Sequence, residues 1–400
     1  MTIEVSVIMP AFNCEDTIEE AVVSVLKQKT RFSYEIVIVD DRSTDGTRSV
    51  IKSLAERYPT VVPVFHEENR GGGAARNTAV QHSHGDLIFC LDGDDLLEET
   101  VLQKLVTCQK EKACDGVGVA ISRKFIHPNP GKIKFINTFS HCGEMVPPES
   151  LLDGSDCALY STFLITRKAF EMIGGYPTEH GFDTQGLAFR FLLNGLNAFV
   201  CPETIYLHRV EQHESYYLRE MNTGKINRNW FYIFEEFLFL FNRQLQDLIL
   251  SFDLDPDSDR NPSTLINAVR QAPSGFFRED FKLLIQGGKR KALSVLQNED
   301  AAITQFCIAN QLKTEGKLDE ALNTYRYAVQ LGFSHPVVYL RILDTIRLMT
   351  GQEKPVIDVL SNLNRQFVAN KNRLSDLLAQ TFAAVRSKAR WEKLVNKLMK

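Results

Sequence analysis

The first hundred residues alternate between two periodicities, and that alternation restricts the fold more than any other feature. "VSVIMP" (5–10) is a short apolar strand, and "CEDTIEEAVVSVLKQ" (14–28) a helix with Ile18, Val22, Val25 and Leu26 on one stripe. "YEIVIVD" (34–40), "VVPVF" (61–65) and "DLIFCLD" (86–92) read as further strands, separated by the helices "STDGTRSVIKSLAERY" (43–58) and "GGGAARNTAVQHS" (71–83). Strands alternating with helices at this spacing are parallel strands joined by helical crossovers. The unbroken Val/Ile run of 36–39 suits a strand covered on both faces. The predicted class is α/β, a mixed sheet with flanking helices.

Carboxylates gather where such a sheet binds ligands. Asp40 and Asp41 end the second strand, and Asp92, Asp94 and Asp95 follow the fourth. In an open α/β sheet the carboxyl ends of the strands face one crevice. Like charges that close repel, and are tolerated when something positive sits among them.

From about 115 to 225 the pattern is mixed. "DGVGVAIS" and "KIKFIN" read as strands, "YSTFLITRKAFEMIGGYP" as strand, helix and turn, and "DTQGLAFRFLLNG" as a helix closed by Gly195. "NAFVCPETIYLHRV" (197–210) reads as a final strand pair. Beyond Asn222 the chain is helical, interrupted by "SFDLDPDSDRNPS" (251–263). The expected divisions are 1–222, a connecting segment 223–262, and an all-α region 263–400. Three stretches there, 287–296, 316–325 and 351–360, share a Gly followed five residues on by a small or β-branched residue. Gly316, Ala321, Tyr325 and Ala328 have the spacing of a tetratricopeptide unit; helix-capping glycines in an ordinary bundle are the alternative.

Composition sets the outer limits. A net charge of −4 gives no global basic field for nucleic acid. The eight cysteines form no CxxC pair and no disulfide-like framework, so reduced thiols are expected. The N-terminus lacks the pattern of a secretory signal. The most apolar segment, "WFYIFEEFLFLF" (230–241), contains Glu235 and Glu236 and is short of the roughly 20 residues a spanning helix needs. It reads as a buried helix with Phe234, Phe237, Leu238 and Phe241 on one face, or else as a dimer or membrane-surface face. The basic tail "RWEKLVNKLMK" could be interfacial or cap the bundle. A cytoplasmic protein with a peripheral contact at the inner membrane face is the expectation. Neither GxxxxGK[ST] nor a GxGxxG after the first strand is present.

Four motifs in order, "VSVIMPAFNCEDTIEEAVVSVLKQ", "EIVIVDDRSTDGT", "ENRGGGAARNTAV" and "GDLIFCLDGDD", resemble the family 2 glycosyltransferases, of GT-A fold. The resemblance covers residues 3 to about 110 closely and 160–215 more loosely. It implies transfer of a single sugar, of hexosyl or N-acetylhexosaminyl type, from a UDP-sugar to a hydroxyl of a glycan, glycolipid or polysaccharide precursor, with inversion. Pro10 and Ala11 would flank the uracil, and Asp40 or Asp41 would hold the base or ribose. Asn69 and Arg76 would sit over the nucleotide, with Gly71–Gly73 allowing close backbone approach. Asp92-Gly93-Asp94 looks like the DxD motif: Asp94 would ligate Mn2+ or Mg2+, with Asp92 on ribose or a metal-bound water. The competing reading makes Asp94 or Asp95 the cap of a helix "LLEETVLQKL".

The resemblance also implies a carboxylate base opening a helix after a "GG[FY]" turn. Gly174-Gly175-Tyr176 supplies the turn, but the family's Glu-Asp pair falls on Asp183 and Thr184. Asp183 is therefore the candidate base, with Glu179 in reserve; an N-cap is its structural alternative. In "YLHRVEQHESYY", His213 is a candidate second metal ligand and Arg209 a candidate counter-charge for phosphate. Absence of a Gln-Arg pair before Trp sets the chain apart from processive synthases. The helical region could bind an acceptor or a protein partner, or self-associate. Two other classes compete with this reading: a non-catalytic scaffold, and a nucleotidyltransferase, which would need the Gly-rich loop after strand one that is missing here.

Overall fold

The computed structural model describes residues 3–126, 129–154, 156–178, 180–210, 223, 225–252, 265–272, 275–299, 301–333 and 335–350. The chain divides into two compact units, Met1–Glu220 and Met221–Lys400. Glu179, His213, the repeat expected at 351–360, most of the 251–263 break and the basic tail lie outside the described residues.

The first unit is built on one nine-stranded mixed sheet. Its parallel half contains β1 (Val5–Ala11), β2 (Tyr34–Asp40), β3 (Val61–Phe65) and β4 (Leu87–Cys90), in spatial order β3-β2-β1-β4. Between and after them run α1 (Ile18–Leu26), α2 (Thr47–Arg57), α3 (Gly72–Gln81) and, past a two-residue β5 (Leu96–Leu97), α4 (Val101–Lys112). Val5, Val7, Ile8 and Met9 of β1 and Ile36 to Val39 of β2 are fully buried. Each such side chain contributes roughly 1.5–3 kcal/mol by leaving water. On α1, Ile18, Ala21, Val22 and Val25 are buried, while Leu26 is half-buried.

Beyond β4 the strands change direction. β8 (Phe163–Thr166) is antiparallel to β4 and to β6 (Gly116–Ile126), so β6 points the same way as β4. β6 pairs in parallel with β9 (Ala198–Val210), β9 pairs with β5, and β7 (Asn129–Thr138) hydrogen-bonds to β6. Helices α5 (Arg167–Met172) and α6 (Asp183–Leu192) complete the unit.

Three expectations are corrected here. Residues 197–210 form a single strand rather than a pair: Glu203 takes φ 57° and the β6 ladder shifts between Val119 and Ile121, which absorbs Pro202 without a turn. Leu96 and Leu97 pair with Leu207 and Tyr206 instead of opening a helix, and α4 starts at Val101. Cys108 of α4 and Cys201 of β9 are joined as a disulfide, against the expectation of reduced thiols throughout. The two lie 93 positions apart and meet because α4 packs on β9, which spacing does not encode.

The second unit is helical: α7 (Ile226–Glu235), α8 (Arg243–Ser251), α9 (Leu265–Arg270), α10 (Phe281–Ile285), α11 (Gly288–Leu296), α12 (Ala302–Thr314), α13 (Leu318–Gln330) and α14 (Pro336–Thr350). The aromatic segment is buried, but it is not one helix. α7 ends at Glu235, Leu238–Leu240 form a 3-10 turn, and Phe241 is extended. Gln246 donates to the Leu238 and Phe241 carbonyls that the break frees. Glu235 is buried and held bidentately by Arg341 at 2.8 and 3.0 Å. Gly316, at φ 75°, turns the chain between α12 and α13, and Ala321, Tyr325 and Ala328 are buried.

Candidate functional site

The carboxyl ends of β1, β2 and β4 border a cleft of about 400 Å³. Pro10, Ala11, Asp41, Asn69, Arg76, Asp92, Gly93 and Asp94 line it, so eight of the residues singled out in the sequence share one cavity wall. Asp40, Asp183 and Arg209 are not part of that lining.

The paired aspartates after β2 divide their work. Asp40 is fully buried, accepting from Ser43 N at 3.1 Å and Arg48 Nε at 2.9 Å, so it ties down its own turn. Asp41 reaches the cleft rim. Its Oδ1 accepts from Arg70 N at 2.9 Å and lies 2.7 Å from His66 Nδ1, while Oδ2 accepts from Gly71 N at 2.7 Å. Asn69 Nδ2 donates to the Asp41 carbonyl at 3.0 Å. Asp41 thereby shapes the glycine loop that leads into α3.

The three carboxylates of 92–95 have three different fates. Arg76 Nη2 donates to Asp92 at 2.6 Å. Asp95 is completely buried; it accepts from Arg209 N at 2.7 Å and from the Tyr206 hydroxyl, and lies 3.1 Å from His208 Nδ1. Burial by itself would lower His208, but the Asp95 carboxylate outweighs it and lifts the imidazole to about 9. Asp94 forms no salt bridge among the described residues. Burial, then the charges of Asp95 and Asp92, push its carboxyl up to about 8. Asp94 is thus a cleft-facing carboxylate in need of positive charge. Asp95 is not a helix cap.

Gly93 fits tightly: a Cβ there would stand 3.0 Å from Ile18 Cδ1 and 3.2 Å from Cys14 Sγ. Thr17 Oγ1 donates to the Gly93 carbonyl at 3.1 Å. Arg209 is buried, with Nε donating to the Asp94 carbonyl and Nη2 to Glu20, each at 2.6 Å, and the guanidinium 4.8 Å from the Phe125 ring centroid. The counter-charge expected for phosphate is occupied in fixing the backbone of Asp94.

Arg76 lines the cleft and is held within it. Its fork spans two carboxylates, Asp92 and, through Nη1 at 2.5 Å, Asp183. Asp183 is the first residue of α6; its Oδ1 accepts from Thr184 N at 2.9 Å, and Phe182 is the N-cap. Burial raises the Asp183 carboxyl, Arg76 opposes that, and Asp92 adds to it. The start of α6 reaches Arg76 because α3 begins with glycines. A Cβ on Gly73 would lie 2.2 Å from the Pro177 carbonyl oxygen, and one on Gly72 3.0 Å from Asp183 Oδ2. Asn77 clasps the turn before α6, donating to Tyr176 O at 2.8 Å and accepting from Tyr176 N at 2.9 Å.

Sequence reasoning missed the Asp95 cluster and Glu20. The alternation of Tyr206 and His208, two apart on a strand, was the available signal, since it sets two polar groups on one face.

Parts of the chain are similar to known proteins. Residues 6–174 match the model of Glycosyl transferase family 2. TuaG of Bacillus subtilis (strain 168), named as a teichuronic acid biosynthesis glycosyltransferase, is 39% identical over 110 residues, 28% of this chain and 43% of TuaG. The poly(ribitol-phosphate) beta-glucosyltransferase of Bacillus spizizenii is 33% identical over 114 residues, 28% of this chain and 18% of the relative. The minor teichoic acid biosynthesis protein GgaB of Bacillus subtilis is 27% identical over 249 residues, 61% of this chain and 26% of GgaB. The chain spans less than half the length of each of these relatives. Staphylococcus aureus TarS 1-349 in complex with UDP-GlcNAc superposes over 91% of this chain and 92% of its own, with a TM-score of 0.48 and 16% identity. Residues 6–174, within the first unit, are thus similar to family 2 glycosyltransferases.

Proposed function

We propose that the protein is a metal-dependent, inverting glycosyltransferase that moves one hexosyl or N-acetylhexosaminyl group from a UDP-sugar to a hydroxyl acceptor. The observation that carries this reading is Asp94: a half-buried, cleft-lining carboxylate with no ion pair among the described residues, while its neighbours Asp92 and Asp95 are both satisfied. Among the described residues no group of three ligating side chains gathers here, but the carboxylate oxygens of Asp94 and Asp92 are the ligand type that Mn2+ and Mg2+ take, the rest coming from the diphosphate and water. Asp94 would hold the ion with Asp92 beside it, and the bound ion supplies positive charge for the departing diphosphate.

Pro10, Ala11, Asp41 and Asn69 line the part of the cleft suited to the nucleoside. Asp183 would take the proton from the acceptor hydroxyl as its oxygen bonds to the anomeric carbon and the bond to the diphosphate breaks, the electron pair leaving with UDP. Arg76 holds Asp183 and Asp92 in one fork and so sets the spacing between donor and base. Relatives named for teichoic and teichuronic acid biosynthesis favour a cell-surface polysaccharide precursor as acceptor. The helical unit, whose α12–α13 hairpin has the spacing of one tetratricopeptide unit, would serve acceptor or partner binding.

The deciding experiment is calorimetric titration of UDP into the protein with manganese and then with chelator. Binding that needs the metal supports the donor site. Absence of binding under both conditions transfers the reading to a scaffold role or to a donor carrying another nucleotide.

A further inference from the structure

Among the described residues of the first unit, the β6–β7 hairpin carries the only cluster of large apolar side chains left in solvent. Ile133, Phe135 and Ile136 are 36%, 56% and 54% exposed, whereas the other large exposed apolar residues among those described occur singly or as the pair Leu348–Met349. Lys132 and Lys134 alternate with them, both exposed, and Lys124 of β6 lies 6.0 Å from the Phe135 ring centroid. From Gly116 to Thr138 there is no Asp or Glu, in a chain with 50 acidic residues among 400. Neither Lys132 nor Lys134 has an acidic partner among the described residues. A protein of net charge −4 has therefore concentrated positive charge and bare hydrocarbon on one hairpin.

We infer that this hairpin docks the protein on an anionic lipid surface, with Ile133, Phe135 and Ile136 entering the headgroup boundary and Lys124, Lys132 and Lys134 meeting lipid phosphates. Apolar side chains flanked by lysines whose stems extend to the headgroups are the chemistry such a surface binds. A second copy adding a strand is disfavoured by the same residues. β7 pairs with β6 alone among the described strands, but its ladder is bulged on either side of Phe125, and a bulge with lysines on an edge resists strand addition. A soluble polyanion would be served by the lysines but gives no reason to expose Phe135 and two isoleucines.

The placement is consistent with access to the cleft. β6 runs parallel to β4, so its carboxyl end, from which the hairpin turns, lies on the side of the sheet where Asp92 and Asp94 stand. Lys124 and Phe125 pair with His208 and Arg209, the residues that hold Asp95 and Asp94. The inference stands independently of whether the chain transfers a sugar.

Co-sedimentation of the full chain with phosphatidylcholine vesicles, with and without one third phosphatidylglycerol, tests it. The expected result is binding to the anionic vesicles alone, weakened by salt. Combining Lys132→Ala with Lys134→Ala should lower the partition about 25-fold, at about five-fold per lysine. Ile133→Ser, Phe135→Ser and Ile136→Ser together should abolish it; these side chains are exposed, and an unchanged circular dichroism spectrum and melting temperature show that the fold survives. The inference is overturned if neither vesicle is bound, or if the triple variant binds like the parent. It is equally overturned if inorganic polyphosphate binds parent and triple variant alike while vesicles do not. Conversion of a dimer to a monomer by the triple variant, in light scattering without lipid, would assign the face to a second copy and overturn it as well.

Discussion

Asp94 is half-buried and has no ion pair among the described residues, whereas carboxylates withdrawn from water are usually paired. Its carboxyl is raised from 3.8 to about 8, so the ion-free fold loses stability as pH climbs through that window; an aspartate held by a salt bridge would do the opposite. Replacing Asp94 with Asn should therefore raise the melting temperature in chelator at pH 8 and flatten its fall between pH 5 and pH 8, while removing metal-dependent UDP binding. Melting curves at several pH values check the first outcome and calorimetry the second. Asp183 separates differently. It lies off the cleft lining, so Asp183→Asn should leave UDP affinity within about three-fold yet cost transfer roughly 100- to 10,000-fold, the usual range for a general base. Equal loss of binding and transfer would instead make Asp183 a support for Arg76.

At the scale of elements, the site depends on how closely α3 approaches α6. Gly73 is the contact point, with the Pro177 carbonyl oxygen 2.2 Å from where a Cβ would stand. Backbone on that side cannot rotate away as a flexible side chain could. Gly73→Ala is expected to cost about 1–3 kcal/mol as overpacking, seen as a lower urea midpoint, and to reduce transfer more than UDP binding because Asp183 is displaced. Unchanged stability would mean that the turn before α6 yields freely. The same elements show where periodicity fails as a guide. The apolar run 230–241 has helical spacing, yet it contains Glu235, which needs Arg341 106 positions later, and the helix ends where that carboxylate is held. The run 96–97 likewise became a strand because Leu207 and Tyr206 were there to pair with it.

The whole molecule is two units, and the lining of the candidate donor cleft lies entirely between Pro10 and Asp94 of the first. Scanning calorimetry should accordingly resolve two transitions, and UDP with manganese should raise one of them by mass action while leaving the other in place. A single transition shifted as a whole would show that the units unfold together. What the sequence determined by itself was local: the strands and helices of the first hundred residues, whose apolar periods match their own geometry, and the carboxylates at the strand ends, which a parallel sheet must bring to one edge. Tertiary structure alone decided which carboxylate stays unpaired among the described residues. Asp95 is satisfied by Tyr206, 111 positions away, and Arg76 by Asp183, 107 away. It also withdrew Asp40 and Arg209 from the cleft and joined Cys108 to Cys201. Spacing along a chain records which side chains share a face; the partner that neutralises a charge is chosen by packing between distant segments, and the charge left over marks the candidate site.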